Sequence, residues 1–66
     1  MKIYFNGETL QVEPDTTIAA LLEELKVVSK NVAVEVNEEV VPRDQHSRHS
    51  LQEGDHLEVV TLVGGG

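Results

Sequence analysis

Apolar and polar residues alternate with a period of two at the start of the chain. In KIYFN, Ile3 and Phe5 share one face of a predicted strand, and TLQVE repeats the alternation. Between these segments lies Asn6-Gly7, the strongest short hairpin signal, because both residues tolerate positive φ angles. The pattern therefore predicts an antiparallel hairpin with one buried face.

The period changes in the stretch EPDTTIAALLEELK. Its apolar residues recur at the i, i+3, i+4 and i+7 positions that line one face of a helix: Ile18, Leu21, Leu22 and Leu25. Asp15 or Thr16 is predicted to cap the start of this helix. We expect the helix to cover the apolar face of the hairpin.

The second half of the chain returns to strand patterns. In VAVEV the inward residues are Val32, Val34 and Val36, NEE forms a turn, and VVP is a short strand. Pro42 marks that strand as an edge or an end. RDQHSRHS is predicted to form a polar loop with a helical turn, and Leu51 anchors the segment that follows.

The last strand pattern, HLEVVTLV, predicts two different faces. Leu57, Val59 and Thr61 point towards the helix, whereas Glu58, Val60 and Leu62 point away from it. The predicted order is strand, strand, helix, strand, short strand, strand. This is an α+β architecture of the β-grasp type: a mixed sheet with one main helix packed on one face. Its first and last strands should lie side by side and parallel at the middle of the sheet.

Composition excludes several functional classes. The 66 residues include no cysteine, which rules out a disulfide framework and a cysteine nucleophile. A net charge of −7 disfavours nucleic acid and anionic membranes as partners. The acidic charge either keeps a small domain soluble or steers it towards a basic partner. With neither a membrane span nor a signal peptide in the pattern, we expect a cytoplasmic protein.

Candidate catalytic and metal-binding residues are sparse. His46 and His49 are three apart, with Asp44 nearby, but zinc usually needs three or four ligands and no further strong candidate follows. We interpret both histidines as polar surface residues of the loop. The adjacent glutamate pairs lack a pocket that would shift their pKa values. We therefore expect no metal site and no enzymatic activity.

Two features remain without a structural role. Tyr4, Val60 and Leu62 should project from the uncovered sheet face, and with Val63 they form a candidate docking surface. Ordinary surface apolarity or a homodimer interface would explain the same pattern. The oligomeric state stays open.

The other feature is the ending VGGG. We predict a β-grasp domain at residues 1–62 and a flexible tail at 63–66. Four extended residues span at most about 13 Å, so this thread would enter a cleft that excludes the domain body. Gly64 and Gly65, which have no side chains, would thread through the narrow part of that cleft, and the carboxylate of Gly66 would be the reactive group. An inert, frayed terminus is the alternative.

Four stretches carry a resemblance to a known family. NGE in the first turn, VAVEVNEEVVPR at 32–43, LQEGDHLEVV at 51–60 and the final VGGG resemble the ThiS family of sulfur carriers, within the ubiquitin-like β-grasp superfamily. The resemblance covers the whole chain. It departs at His46, where relatives often carry an aromatic residue.

The resemblance implies a carrier cycle in thiamine biosynthesis. A ThiF-type adenylating enzyme would use ATP and magnesium to activate Gly66, and a cysteine persulfide would convert it to a thiocarboxylate. Thiazole synthase, ThiG, would accept the sulfur. The chain itself would bind no cofactor. A ubiquitin-like protein modifier, a carrier of the molybdopterin-synthase type (MoaD) and a plain interaction module remain alternatives.

Overall fold

A computed structural model describes residues 1–62 of the chain. Its strands are β1 (Lys2–Phe5), β2 (Glu8–Gln11), β3 (Val32–Val36), β4 (Glu39–Val41) and β5 (His56–Thr61), and its α-helix is α1 (Ile18–Glu24). Short 3₁₀ turns occupy Ser29–Asn31 and Arg43–Gln45. The strands form one mixed sheet in the order β2-β1-β5-β3-β4, with β1 and β5 parallel. The predicted architecture is confirmed, including the central position of β5.

Both hairpins turn on an asparagine with a positive φ angle. Asn6 (φ 49°) and Gly7 (φ 87°) form the two-residue loop between β1 and β2. Asn37 (φ 52°) and Glu38 (φ 71°) do the same between β3 and β4. Two central residues with positive φ match the right-handed twist of the flanking strands.

The start of α1 corrects the predicted cap. Thr17, and not Asp15 or Thr16, is the N-cap, because its extended backbone lets its hydroxyl accept a hydrogen bond from the Ala20 amide (3.1 Å). The Thr16 hydroxyl instead donates to the Glu13 carbonyl (2.7 Å). Asp15 lies in the left-handed region, at φ 67°.

The end of α1 explains a second difference. Lys26, at φ 61°, donates its amide to the Glu23 carbonyl, and Val27 donates to the Leu22 carbonyl. This is the Schellman arrangement, which usually has glycine at the left-handed position. Because the helix stops there, Leu25 is only its C-cap and is exposed, although the spacing placed it on the apolar stripe.

The core lies between α1 and the sheet and is aliphatic. Its fully buried members come from α1 and from the three central strands β1, β3 and β5: Ile3, Ile18, Leu21, Leu22, Val34 and Leu57. Leu51 is also buried, which confirms its predicted anchoring role.

The segment between β4 and β5 packs against the start of α1. The Ile18 amide donates to the His49 carbonyl (3.1 Å), and the Ala19 amide donates to the His46 carbonyl (2.9 Å). The amides at the start of a helix have no partner within the helix, so these loop carbonyls satisfy them. The loop is therefore a structural support for α1.

His46 corrects the interpretation of this loop. Its side chain is buried, with 3% exposed, and is not a surface group. Its Nε2 donates to the Val41 carbonyl (3.0 Å), because a carbonyl oxygen can only accept, so Nε2 carries a proton. Its Nδ1 is buried without a hydrogen-bond partner within residues 1–62. The imidazole thus fills the core position where the resemblance led us to expect an aromatic ring.

Candidate functional site

Strand β5 directly precedes the C-terminal segment, residues 63–66, that the sequence identifies as a candidate functional tail. It pairs with β1 only through His56 and Leu57, whereas its pairing with β3 runs from Leu57 to Thr61. Beyond the strand, the Leu62 amide donates to the Asn31 carbonyl (2.8 Å). The position from which residues 63–66 continue is therefore defined by the sheet. Val63, Gly64, Gly65 and Gly66 themselves lie outside the described residues.

The sheet face opposite α1 carries the exposed apolar side chains that the alternation predicts. Val60 is 54% exposed and Leu62 is 56% exposed. Val40, which the sequence reading did not assign to this face, is 66% exposed. Its strand neighbour Val41 is buried. The alternation of side chains along β4 is therefore the signal in the sequence that places Val40 on the outer face.

Tyr4 lies on the same face but away from Val60. Its ring stacks on His56, with centroids 4.4 Å apart and planes inclined by 20°. Lys2 Nζ lies 5.5 Å from the centre of the Tyr4 ring. Because His56 and Val60 are four positions apart on β5, roughly 13 Å separates the two candidate docking groups. The structure places them on one surface without bringing them into contact.

Two carboxylates fill the space between these groups. Glu35 of β3 is directly opposite Glu58 of β5, next to the Ala33–Val60 pair. Like charges directly opposite each other destabilise a sheet, so this pair costs folding free energy. The uncovered face therefore has an acidic pair that lies between the Tyr4–His56 stack and Val60. The alternation along β5 predicts the outward direction of Glu58 but does not identify its partner.

The described residues contain no other recognisable site. Within residues 1–62, no three or more His, Cys, Asp or Glu side chains are grouped closely enough to hold a metal ion. No helix in the described part of the chain is long and apolar enough to cross a membrane. Within residues 1–62 the His46 ring is buried and its Nε2 is hydrogen-bonded to the Val41 carbonyl, so it is not the exposed loop ligand that the zinc hypothesis considered.

Comparison with known proteins decides the family. The model of the ThiS family matches residues 3–66. The chain belongs to the ThiS family. Membership of this family favours the resemblance to ThiS over a resemblance to the modifiers and MoaD-type carriers that share a Gly-Gly ending.

Individual ThiS relatives agree in sequence and fold. The sulfur carrier protein ThiS of Escherichia coli is 33% identical over 66 residues, which cover all of both chains. The crystal structure of the thiamine biosynthesis protein ThiS of Geobacter metallireducens matches the whole chain with a TM-score of 0.83 and 32% identity. The ThiS-type β-grasp fold is thus confirmed.

A longer protein also contains a segment similar to this chain. The thiazole synthase of Paramagnetospirillum magneticum is 44% identical over all 66 residues. This chain spans only 20% of the length of that protein. A ThiS-like segment and the name thiazole synthase therefore occur together in one polypeptide.

Proposed function

We propose that the carboxylate of Gly66 is the group that carries sulfur. A carboxylate is a weak electrophile, because its leaving group would be an oxide. Activation must therefore come before sulfur transfer. Membership of the ThiS family, with a matched region that runs through Gly66, is the observation that carries this proposal.

The proposed chemistry has three steps: adenylation, sulfur transfer and reduction. A carboxylate oxygen of Gly66 attacks the α-phosphorus of ATP, pyrophosphate leaves, and an acyl-adenylate forms. The outer sulfur of a cysteine persulfide then attacks the acyl carbon and expels AMP. A second thiolate then attacks the cysteine sulfur of this acyl disulfide, which forms a disulfide between the thiol and that cysteine and releases the thiocarboxylate. ATP and magnesium belong to the adenylating enzyme of the ThiF type, and the carrier supplies only its main-chain end.

Thiazole synthase is the proposed acceptor of the sulfur. The match to a segment of a thiazole synthase supports this pairing, because a ThiS-like segment is part of the same polypeptide as that synthase. A separate carrier must instead dock on its enzymes and leave again. Ordering four tail residues costs about 1–2 kcal/mol each, so we attribute most of the docking affinity to the domain body.

The uncovered sheet face is the proposed docking surface. Its candidate contacts are Tyr4, Val60 and Leu62, followed by Val63 and then by the glycines Gly64 and Gly65 that enter the partner's cleft. The Glu35–Glu58 pair calls for a basic side chain on the partner, since a cation between two carboxylates would remove their repulsion. The net charge of −7 adds long-range attraction to a basic surface.

The test is the intact mass of the protein after reaction. We expect incubation with a ThiF-type enzyme, ATP, magnesium and a persulfide donor to replace one oxygen by one sulfur. A variant that lacks Gly66 is the matched control and should keep its original mass. An equal mass gain in that variant would refute the proposal. Covalent adducts with other proteins on denaturing gels would instead indicate a protein modifier.

A further inference from the structure

The side chain of Asn6 contacts strand β5 beyond the point where β1 stops. Its Oδ1 accepts a hydrogen bond from the Val59 amide (2.8 Å), and its Nδ2 donates to the Val59 carbonyl (3.2 Å). A single carboxamide thus satisfies both backbone groups of one residue. We call this pair of hydrogen bonds the Asn6 clasp.

The clasp replaces a missing strand. Strand β1 ends at Phe5, which pairs with Leu57, and the Asn6 amide makes the last main-chain bond to the Leu57 carbonyl (2.9 Å). From there the chain turns away into the hairpin loop, because Asn6 has a φ angle of 49°. Without the carboxamide, the Val59 edge facing β1 would lose both hydrogen bonds. Only β3 would then hold the end of β5.

A second asparagine makes a comparable contact at the other end of the same strand. The side-chain Oδ1 of Asn37 accepts a hydrogen bond from the backbone amide of His56 (3.0 Å). The backbone amide of Asn37 donates to the His56 carbonyl (2.7 Å). Like Asn6, it occupies the first position of a two-residue turn with a positive φ angle. It acts at the start of β5, whereas the Asn6 clasp acts three residues before Leu62.

We propose that Asn6 is a positioning residue that fixes the end of β5 and so sets the direction in which the tail leaves the domain. The proposal rests on the function proposed above, in which the Gly66 carboxylate must reach an enzyme's active site. Holding a reacting group in the right geometry accounts for much of the rate of a bound reaction. A strand end that opens more often would present the tail correctly for less of the time.

The first experiment measures amide hydrogen exchange in the full chain. Asn6→Gly removes the carboxamide and keeps a residue suited to positive φ, and Asn37→Gly is the matched control. The reporter is the backbone amide of Leu62. It donates to the Asn31 carbonyl on the β3 side of β5, whereas Asn6 lies on the β1 side. The Leu21 amide, bonded to Thr17 in α1, reports global unfolding.

We expect Asn6→Gly to raise the exchange rate of Leu62 relative to Leu21 roughly tenfold, which is the effect of losing two ordinary hydrogen bonds. Asn37→Gly should leave that ratio unchanged. An equal ratio in the two variants would show that the clasp does not hold the end of β5, and the proposal would be wrong.

The second experiment measures adenylation by ATP–pyrophosphate exchange with a ThiF-type enzyme. We expect Asn6→Gly to lower kcat at least about threefold and to leave KM within about twofold, because orientation is lost while the docking face is intact. Asn37→Gly should retain the kcat of the unmodified chain. A reduction shared by both variants would indicate a merely structural role and overturn the assignment.

The two experiments separate the two proposals. If the unmodified chain is not adenylated, the proposed function fails, and with it the role of Asn6 in presenting the tail. The exchange ratio of Leu62 would still decide whether the clasp holds β5. If adenylation proceeds and the ratio does not respond to Asn6→Gly, the proposed function stands and the positioning role is refuted.

Discussion

Replacing Val60 by aspartate tests the docking surface most sharply. Val60 lies on the central strand β5 with its side chain on the face that α1 does not cover, and 54% of it is exposed. The substitution removes an apolar contact and adds a charge beside Glu58 and its partner Glu35. Leu25→Asp makes the same type of change at an exposed residue that ends α1, outside the sheet.

The expected magnitudes follow from burial. Since about half of the Val60 side chain is still exposed in the free domain, covering it contributes about 1 kcal/mol to docking. Burying a carboxylate in its place costs at least about 1–3 kcal/mol more. Together these losses weaken docking roughly 30-fold or more. The cost to folding should stay near 1 kcal/mol, the range over which strand preferences vary.

Two measurements decide the outcome. The dissociation constant with the adenylating enzyme is obtained by calorimetry, and the free energy of unfolding by urea titration. We expect Val60→Asp to raise the dissociation constant roughly 30-fold or more. Leu25→Asp should leave it within about twofold, because Leu25 lies outside the sheet face that is proposed to dock. Unchanged docking in Val60→Asp would refute the surface assignment. An unfolded Val60→Asp variant would refute the strand-face assignment instead.

Two further substitutions test the packing of the domain by urea titration. His46→Ala should lower the free energy of unfolding by about 2–4 kcal/mol, because it leaves a cavity and removes the hydrogen bond to Val41. A loss below about 1 kcal/mol would contradict a core role for the ring. Lys26→Gly should raise the free energy of unfolding by about 0.5 kcal/mol, since relief of the left-handed backbone exceeds the entropy cost of glycine. A lower stability in that variant would contradict the Schellman assignment.

Local patterns predicted most of the fold correctly. The Asn6-Gly7 turn, the alternation along β5 and the helical stripe each depend on residues close in sequence, and the structure confirms them except at Leu25 and Thr61, which are exposed near the ends of their elements. The outward direction of Val60 follows from the same alternation, because Leu57 is buried on the other face. Two-residue periodicity is sufficient to assign strand faces once one buried residue is known.

Features that depend on distant contacts could not be read in this way. His46 looks like a surface residue by type, and only the packing of its loop against α1 buries it. The Glu35–Glu58 pair requires the register between β3 and β5, which the pattern of either strand leaves undetermined. The Asn6 clasp likewise depends on where β1 ends beside β5. The predicted division at residues 62 and 63 stays a prediction.

Fragmentation mass spectrometry of the sulfur-loaded protein tests the central claim most directly. After reaction with the adenylating enzyme and a persulfide donor, fragments that contain Gly66 should carry sulfur in place of one oxygen. Fragments that end before Gly66 should have the masses given by the sequence. Sulfur found on any fragment without Gly66, or a loaded protein whose C-terminal fragment is unmodified, would contradict the account.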